Sequence, residues 1–330
     1  MPRKVFNMAK VKTKIKDQIE ILKSRNVRFD IMSEKKAIKF LVDKTYYFKI
    51  SAYRENFDYV KFPNGEIKYK DLDFAYLKEL SKIDMYLRYI VLEFSLDIEH
   101  FLKKQIVDSV TNDDSDDGYK IVNDFLSNNG KASKNLCSHA KSPYSAELIN
   151  KYINNMPIWV FAEVSTFGDF LFFYNYYYNL KQTKPPIDNK ILNQIKTLRN
   201  ACAHNNCIIN NIDKLLPPSS NINVCVKTWC ILVCKDLNKN TIDRMLRKQV
   251  IYDFVSLLYV YCELSTDNVR SKKIMRLYSL FNKRMKKHKE YFRKNQRLTN
   301  VYKFIFALIK ALKKQYCKVT ISNFIREILY

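Results

Sequence analysis

Glycine is almost missing, with 4 in 330 residues. Many-stranded sandwiches and barrels need tight turns at positive φ, and a dinucleotide or P-loop site needs clustered glycines against the phosphates. Four scattered glycines exclude both patterns. Long apolar runs are missing too. The most apolar stretch, FLFFYNYYYNL at 170–180, is too short and too polar to cross a bilayer. The basic segment 1–16 is followed by no apolar core and no small-residue cleavage site, so no secretory signal is expected. Eight cysteines are present but no C-x-x-C pair, which removes the usual zinc and thioredoxin-like patterns. Cys225, Cys230 and Cys234 fall on one expected helix and read as small core side chains. These absences predict a cytosolic chain with no cofactor, no metal site and no membrane partner.

Acidic side chains are the remaining deficit. Lys and Arg number 58 against 33 Asp and Glu, for a formal charge of +25. Such an excess points to a polyanion, either nucleic acid or an acidic membrane face. A merely solvated basic surface is the plainer alternative. The charge is uneven: residues 1–50 hold 14 basic and 5 acidic groups, 51–119 hold 9 and 15, and 270–330 hold 18 and 2.

What is present is helical periodicity. Over 71–109, Leu77, Leu80, Ile83, Leu87, Ile90, Phe94, Ile98, Phe101 and Ile106 recur at steps of three to five with no Pro or Gly between them. That spacing predicts one long helix with a single buried stripe. The acidic stretch NDDSDDG at 112–118 ends it as a solvated loop. Helices are expected over 144–154, over 159–180 with a bend near Phe167-Gly168, over 187–204, over 241–264 and through most of 268–316. Pro63-Asn64-Gly65 between alternating residues predicts a hairpin at 59–69. The chain reads as all-α, with an N-terminal basic segment over 1–70, a core over 71–215 and a C-terminal helical region over 216–330.

Only four histidines exist, and histidine is the usual acid–base group near neutral pH. His100 falls on the long helix, His139 in a polar loop and His288 in a Lys/Arg run. His204 differs. It closes the segment KTLRNACAH, in which Lys196, Asn200 and His204 recur every fourth residue on one helix face, flanked by Arg199. Ala201 and Ala203 keep the adjoining surface thin. An arginine fork clamps phosphate oxygens as charge develops, and an imidazole moves the proton of a ribose 2′-hydroxyl or a leaving 5′-oxygen. The alternative is that Arg199 and His204 simply cap and solvate a helix end, where cations are favoured. Spacing alone does not decide between the two.

Context comes from four blocks in order. They are Ala37–Leu41 running into Tyr46-Tyr47-Phe48-Lys49-Ile50-Ser51-Ala52-Tyr53; Asp84-Met85-Tyr86-Leu87-Arg88 through Asp97-Ile98-Glu99-His100; Met156-Pro157-Ile158-Trp159 with Glu163 and Ser165-Thr166-Phe167-Gly168; and Leu198-Arg199-Asn200-Ala201-Cys202-Ala203-His204 with Asn210. Together they resemble the Abi family of phage abortive-infection proteins, of the AbiD/AbiF type, over roughly residues 15–215. The resemblance implies a HEPN-like helical bundle, here with extra N-terminal helices and basic C-terminal ones. It implies a metal-independent endoribonuclease whose R-x4–6-H motif falls on Arg199 and His204, with Asn200 as the polar second residue. It also implies a homodimer pairing two such motifs, and a structured small RNA as a partner beside a cellular or phage RNA target. One departure is Cys207, which stands where family members often carry a further arginine.

The basic segment 270–330 supplies Lys272, Lys273, Arg276, Lys283, Arg284, Lys286, Lys287, Lys289, Arg293, Lys294 and Arg297, interleaved with Tyr278, Phe281, Tyr291 and Phe292. Cations for phosphates and aromatics for bases predict RNA contact, with Lys196 adding positive potential at the motif. Two other readings stay open. One is a non-catalytic RNA-binding module; the other is a membrane-acting toxin whose C-terminal helices lie on an anionic surface.

Overall fold

The helix predicted over 71–109 is the axis of the molecule. In the computed structural model, which describes residues 12–317, it is α4, Phe74–Thr111, 38 residues and so about 57 Å long. Before it come α1 (Ile15–Ser24), α2 (Glu34–Asp43), α3 (Tyr47–Ala52) and a hairpin of β1 (Tyr59–Lys61) and β2 (Ile67–Tyr69). After it come α5 (Lys120–Asn128), α6 (Gly130–His139), α7 (Ala146–Tyr152), α8 (Ile158–Val164), α9 (Phe167–Leu180) and α10 (Asn189–Ala203). The remainder is α11 (Val224–Val233), α12 (Lys239–Leu246), α13 (Gln249–Leu264), α14 (Asp267–Ser279) and α15 (Gln296–Tyr316). Among the described residues the fold is all-α apart from the hairpin.

Local chemistry sets the boundaries. Asp73, buried, caps α4: one carboxylate oxygen accepts the Ala75 N–H at 2.8 Å, and the other accepts those of Asp30 and Ile31. The hairpin pairs Tyr59 with Tyr69 and turns at Gly65, whose φ of +83° suits glycine. Gly118 takes a φ of +73°, and with glycine so scarce the other left-handed positions among the described residues fall to Asn26, Asp71, Gln182 and Asn205. Asn and Asp are the non-glycine residues that tolerate this region best. The bend expected near 167–168 is a break: Ser165 and Thr166 are extended, and Thr166 caps α9 by accepting the Asp169 N–H at 3.1 Å.

The stripe Leu77, Leu80, Ile83, Leu87, Ile90, Phe94, Ile98 and Ile106 is buried as its spacing predicts, and Phe101 is half-buried. Helices α10 and α13 pack along α4, while α8 and α9 pack on its C-terminal half. From 170–180, Phe170, Leu171, Phe173, Tyr174 and Tyr177 enter the core and Phe172 faces out.

Several expectations are corrected. His139 is not in a loop but ends α6. The acidic stretch 112–118 is not merely solvated, because Lys181 pairs with Asp113 at 2.7 Å and Asp116 at 3.5 Å. Cys225 is exposed, although Cys230 and Cys234 are buried as read. The helix expected over 241–264 is interrupted between α12 and α13, and that over 268–316 between α14 and α15. Residues 318–330 of the basic segment, and 1–11, lie outside the described residues.

One half-buried group makes the fold sensitive to pH. Burial pushes the Asp253 carboxyl up to about 6, against the lowering effect of the Gln249 amide, which donates to both its oxygens at 2.9 and 3.0 Å. The unfolded carboxyl ionises first, so its contribution to stability is lost as pH rises from about 4 through 6. Asp253→Asn is therefore expected to stabilise the protein by about 1–3 kcal/mol at pH 7–8 and by little at pH 4, read from urea melts at both pH values.

Candidate RNA-cleaving site

The motif predicted from KTLRNACAH ends helix α10. Asp188 caps its start by accepting the Lys190 N–H at 2.8 Å. At the other end His204 is the C-cap, and its N–H donates to the Asn200 carbonyl at 3.0 Å. Asn205, at φ +57°, then reverses the chain: its N–H reaches Cys202 O at 3.0 Å, and that of Asn206 reaches Ala201 O at 2.9 Å. This is a Schellman closure made without glycine.

The closure places the side chains differently from one another. His204 is exposed and makes no side-chain hydrogen bond among the described residues. Arg199, 29% exposed, donates to Asn200 Oδ1 at 3.1 Å and lies 3.6 Å from Glu99 of α4. Glu99 also meets Lys103 at 2.9 Å. Lys196 donates to Asn193 Oδ1 at 2.9 Å, and its ammonium sits over the Phe172 ring. Arg199 and Asn200 are thus brought together, while Lys196 and His204 stand apart on the same helix. Ala203 is exposed, and Ala201 is half-buried. Phe172, beneath Lys196, is an exposed large apolar side chain, as are Phe48, Tyr89 and Leu96 on α3 and α4.

What holds His204 in place was not legible as a motif. The loop 205–212 is gripped from two sides. Asp84 of α4, fully buried, accepts the N–H groups of Ile208 and Ile209 at 3.0 Å each, the Tyr53 hydroxyl at 2.8 Å, and an ion pair from Arg88. Asn56, 1% exposed, donates to the carbonyls of Ile209 and Asn210 at 2.8 and 3.0 Å and accepts the Ile212 N–H at 3.0 Å. Lys49 of α3 donates to Asn205 O at 2.7 Å, and the Cys207 thiol lies on the Lys49 carbonyl. Burial raises the Asp84 carboxyl above the usual range, opposed by Arg88, the tyrosine and the two backbone donors. Burial also drives the Cys202 thiol up to about 12 and raises Cys207, so neither is a ready nucleophile.

These contacts join Tyr53, Asp84 with Arg88, and the stretch from His204 to Asn210, which the sequence places in three separate blocks. The Abi-like protein family model matches residues 40–210, just over half of the chain, and its last matched residue is the Asn210 held by Asn56. The chain belongs to the Abi-like protein family. Membership points to abortive-infection phage defence. No curated protein and no solved structure matches this Abi-like chain.

The basic C-terminal residues divide into two sets. Lys273 pairs with Glu93 and Asp97, Arg276 with Glu93, Arg284 with Glu79, and Arg297 with Asp58 and Asp213. These cations tie α14, α15 and their connection to the rest of the molecule. Lys272, Lys283, Lys286, Lys287, Lys289, Arg293 and Lys294 are exposed and form no ion pair with a described residue. The interleaved aromatics pack inward rather than out towards bases. Phe281 is buried, Tyr278 stacks on Phe306, and Tyr291 and Phe292 lie against Tyr76. Among the described residues no helix is long and apolar enough to cross a membrane.

Proposed function

We propose that this Abi-like protein is a metal-independent HEPN-type endoribonuclease of phage defence. Arg199 holds the scissile phosphate, Asn200 orients Arg199, and Lys196 adds positive potential. His204 moves protons. The ribose 2′-oxygen loses its proton and attacks the adjacent phosphorus; the bond to the 5′-oxygen breaks, and that oxygen is protonated as it leaves. The products are a 2′,3′-cyclic phosphate and a 5′-hydroxyl. The observation that carries this reading is the placement of half-buried Arg199 and Asn200 near the end of a helix and of exposed His204 at its C-cap, with the exit loop clamped by buried Asp84 and Asn56. Pre-set geometry on a rigid support is what phosphoryl transfer demands.

Two copies would bring two His204 side chains to one RNA, and exposed Phe48, Tyr89, Leu96 and Phe172 offer the apolar face such a homodimer would cover. In the same proposal the exposed cations over 272–294 grip RNA backbone, and the bound partner includes a structured small RNA. The test is cleavage of RNA by wild type and His204→Ala in EDTA, with both ends mapped. Cleavage surviving in His204→Ala, or stopped by EDTA, defeats this mechanism. Loss of RNA affinity in parallel with activity would favour a purely RNA-binding module.

Glu99 sets a further expectation. A phosphate reaching Arg199 has to displace its carboxylate. Glu99→Gln removes that competitor, and partly exposed pairs of this kind are worth about 0.2–1 kcal/mol. RNA binding by Glu99→Gln is expected to tighten by about two- to five-fold, measured by fluorescence anisotropy in the uncleaving His204→Ala background.

A further inference from the structure

A cleft of about 400 Å³, far from Arg199, lies between α2, the start of α4 and the segment joining α14 to α15. Small-ligand sites begin at about this size. Lys36 and Lys39 of α2 line one wall, Lys78 and Lys82 of α4 the other, and His288 and Tyr291 close an end. His288 and Tyr291 are stacked, with ring centres 4.8 Å apart and planes 10° from parallel.

Lys78 is the informative residue. It is half-buried, yet its ammonium meets only the Met32 sulfur at 3.7 Å and the Phe40 ring at 5.4 Å. Among the described residues no carboxylate pairs with it. Burial, and then the nearby charge of Lys82, lower its pKa; Glu79 opposes them and Lys36 adds to them. The two cleft carboxylates relieve the crowding only in part. Glu79 is taken by Arg284, and Asp43 is exposed without an ion pair among the described residues. Four like charges on a concave surface focus a positive potential into the space between them. Ammonium groups approaching from both walls suit oxygens spread over several phosphates better than one planar carboxylate.

We infer that this cleft binds adjacent phosphoryl groups, either those of a nucleoside polyphosphate or consecutive phosphates of an RNA strand. The site stands whether or not Arg199 and His204 cut RNA. For a strand it would be a second grip: Lys78 and Glu99 are 21 residues apart on α4, about 31 Å along the helix. Lys82, Tyr89 and Leu96 are exposed along the stretch between.

The probe is inorganic tripolyphosphate, titrated calorimetrically into the full chain at low salt. Saturable one-to-one binding is expected, at least ten-fold weaker in Lys78→Gln/Lys82→Gln and in Lys36→Gln/Lys39→Gln. The second pair is exposed, so it keeps the test sound if the first disturbs folding. Lys131→Gln/Lys134→Gln on α6 removes the same charge elsewhere and is expected to weaken binding less than two-fold. No saturable binding, or equal weakening by the α6 pair, overturns the proposal. A ten-nucleotide RNA with a 5′-hydroxyl distinguishes the sources: displacement of tripolyphosphate identifies strand phosphates, and displacement by ATP or GTP alone identifies a free nucleotide. His204→Ala should bind tripolyphosphate like wild type, so failure of the cleft and failure of RNA cleavage are read separately.

Discussion

Asp84→Ala is expected to remove about 5 kcal/mol of stability, enough to leave much of the protein unfolded at 25 °C if its total lies in the usual range of about 5–15 kcal/mol. The substitution strands Arg88, which is 4% exposed, as an unpaired buried charge. Breaking a buried pair in this way costs about 3–5 kcal/mol. The N–H groups of Ile208 and Ile209 lose their acceptor as well, at about 1–3 kcal/mol each where water cannot replace it. These terms overlap, so their sum is an upper bound. Replacing both partners, as Asp84→Ala/Arg88→Met, is expected to recover part of the loss because no charge is left buried. Urea titrations followed by circular dichroism measure both variants. A loss under about 2 kcal/mol for Asp84→Ala would mean that the clamp does not exist as described.

In the proposed mechanism His204→Ala is expected to act on chemistry and not on folding. Proton transfer by a positioned imidazole contributes about 10²- to 10⁴-fold, and the cleavage rate is expected to fall by that factor. Arg199→Ala is expected to lower it by a further-independent route, about 10²- to 10³-fold, through lost stabilisation of charge on the phosphate. Arg199→Lys is a poor rescue, since an ammonium lacks the planar fork that also engages Asn200. His204 is exposed, so its replacement costs stability no more than the roughly 0.3–1 kcal/mol of a cation at a helix C-terminus. Single-turnover rates on end-labelled RNA, beside unchanged melting curves, separate the two effects. Melting that falls together with the rate would assign His204 a structural role.

Periodicity made α4, the hairpin, α9 and α10 legible, because their buried residues repeat within a few turns. The stretch holding α5 and α6 gave no such warning: its buried positions are few, Ile121, Val122, Phe125, Ala132 and Leu136 among polar neighbours. The motif residues Arg199, Asn200 and His204 were visible in the chain, and their surface position follows from the helix end that His204 caps. The clamp was not visible. Asp84 meets Ile208 across 124 positions and Asn56 meets Ile209 across 153. A lone acid or amide that satisfies a distant loop leaves no local pattern. Glu99 was hidden for the same reason, since its ordinary helical partner Lys103 accounts for it without Arg199.

The clamp also fixes when the site comes into being. Its halves, Tyr53 to Asp84 and Asn205 to Ile212, leave the ribosome far apart in time, at roughly 5–20 residues per second. The first half emerges with buried acid and amide groups awaiting partners that have not been translated. His204 therefore gains its support only after residue 212 clears the exit tunnel, and Asn295 adds its bond to the Asn56 carbonyl later still. Asp84 thus waits through 124 further positions for Ile208, and the helix end at His204 stays unsupported for that interval of synthesis.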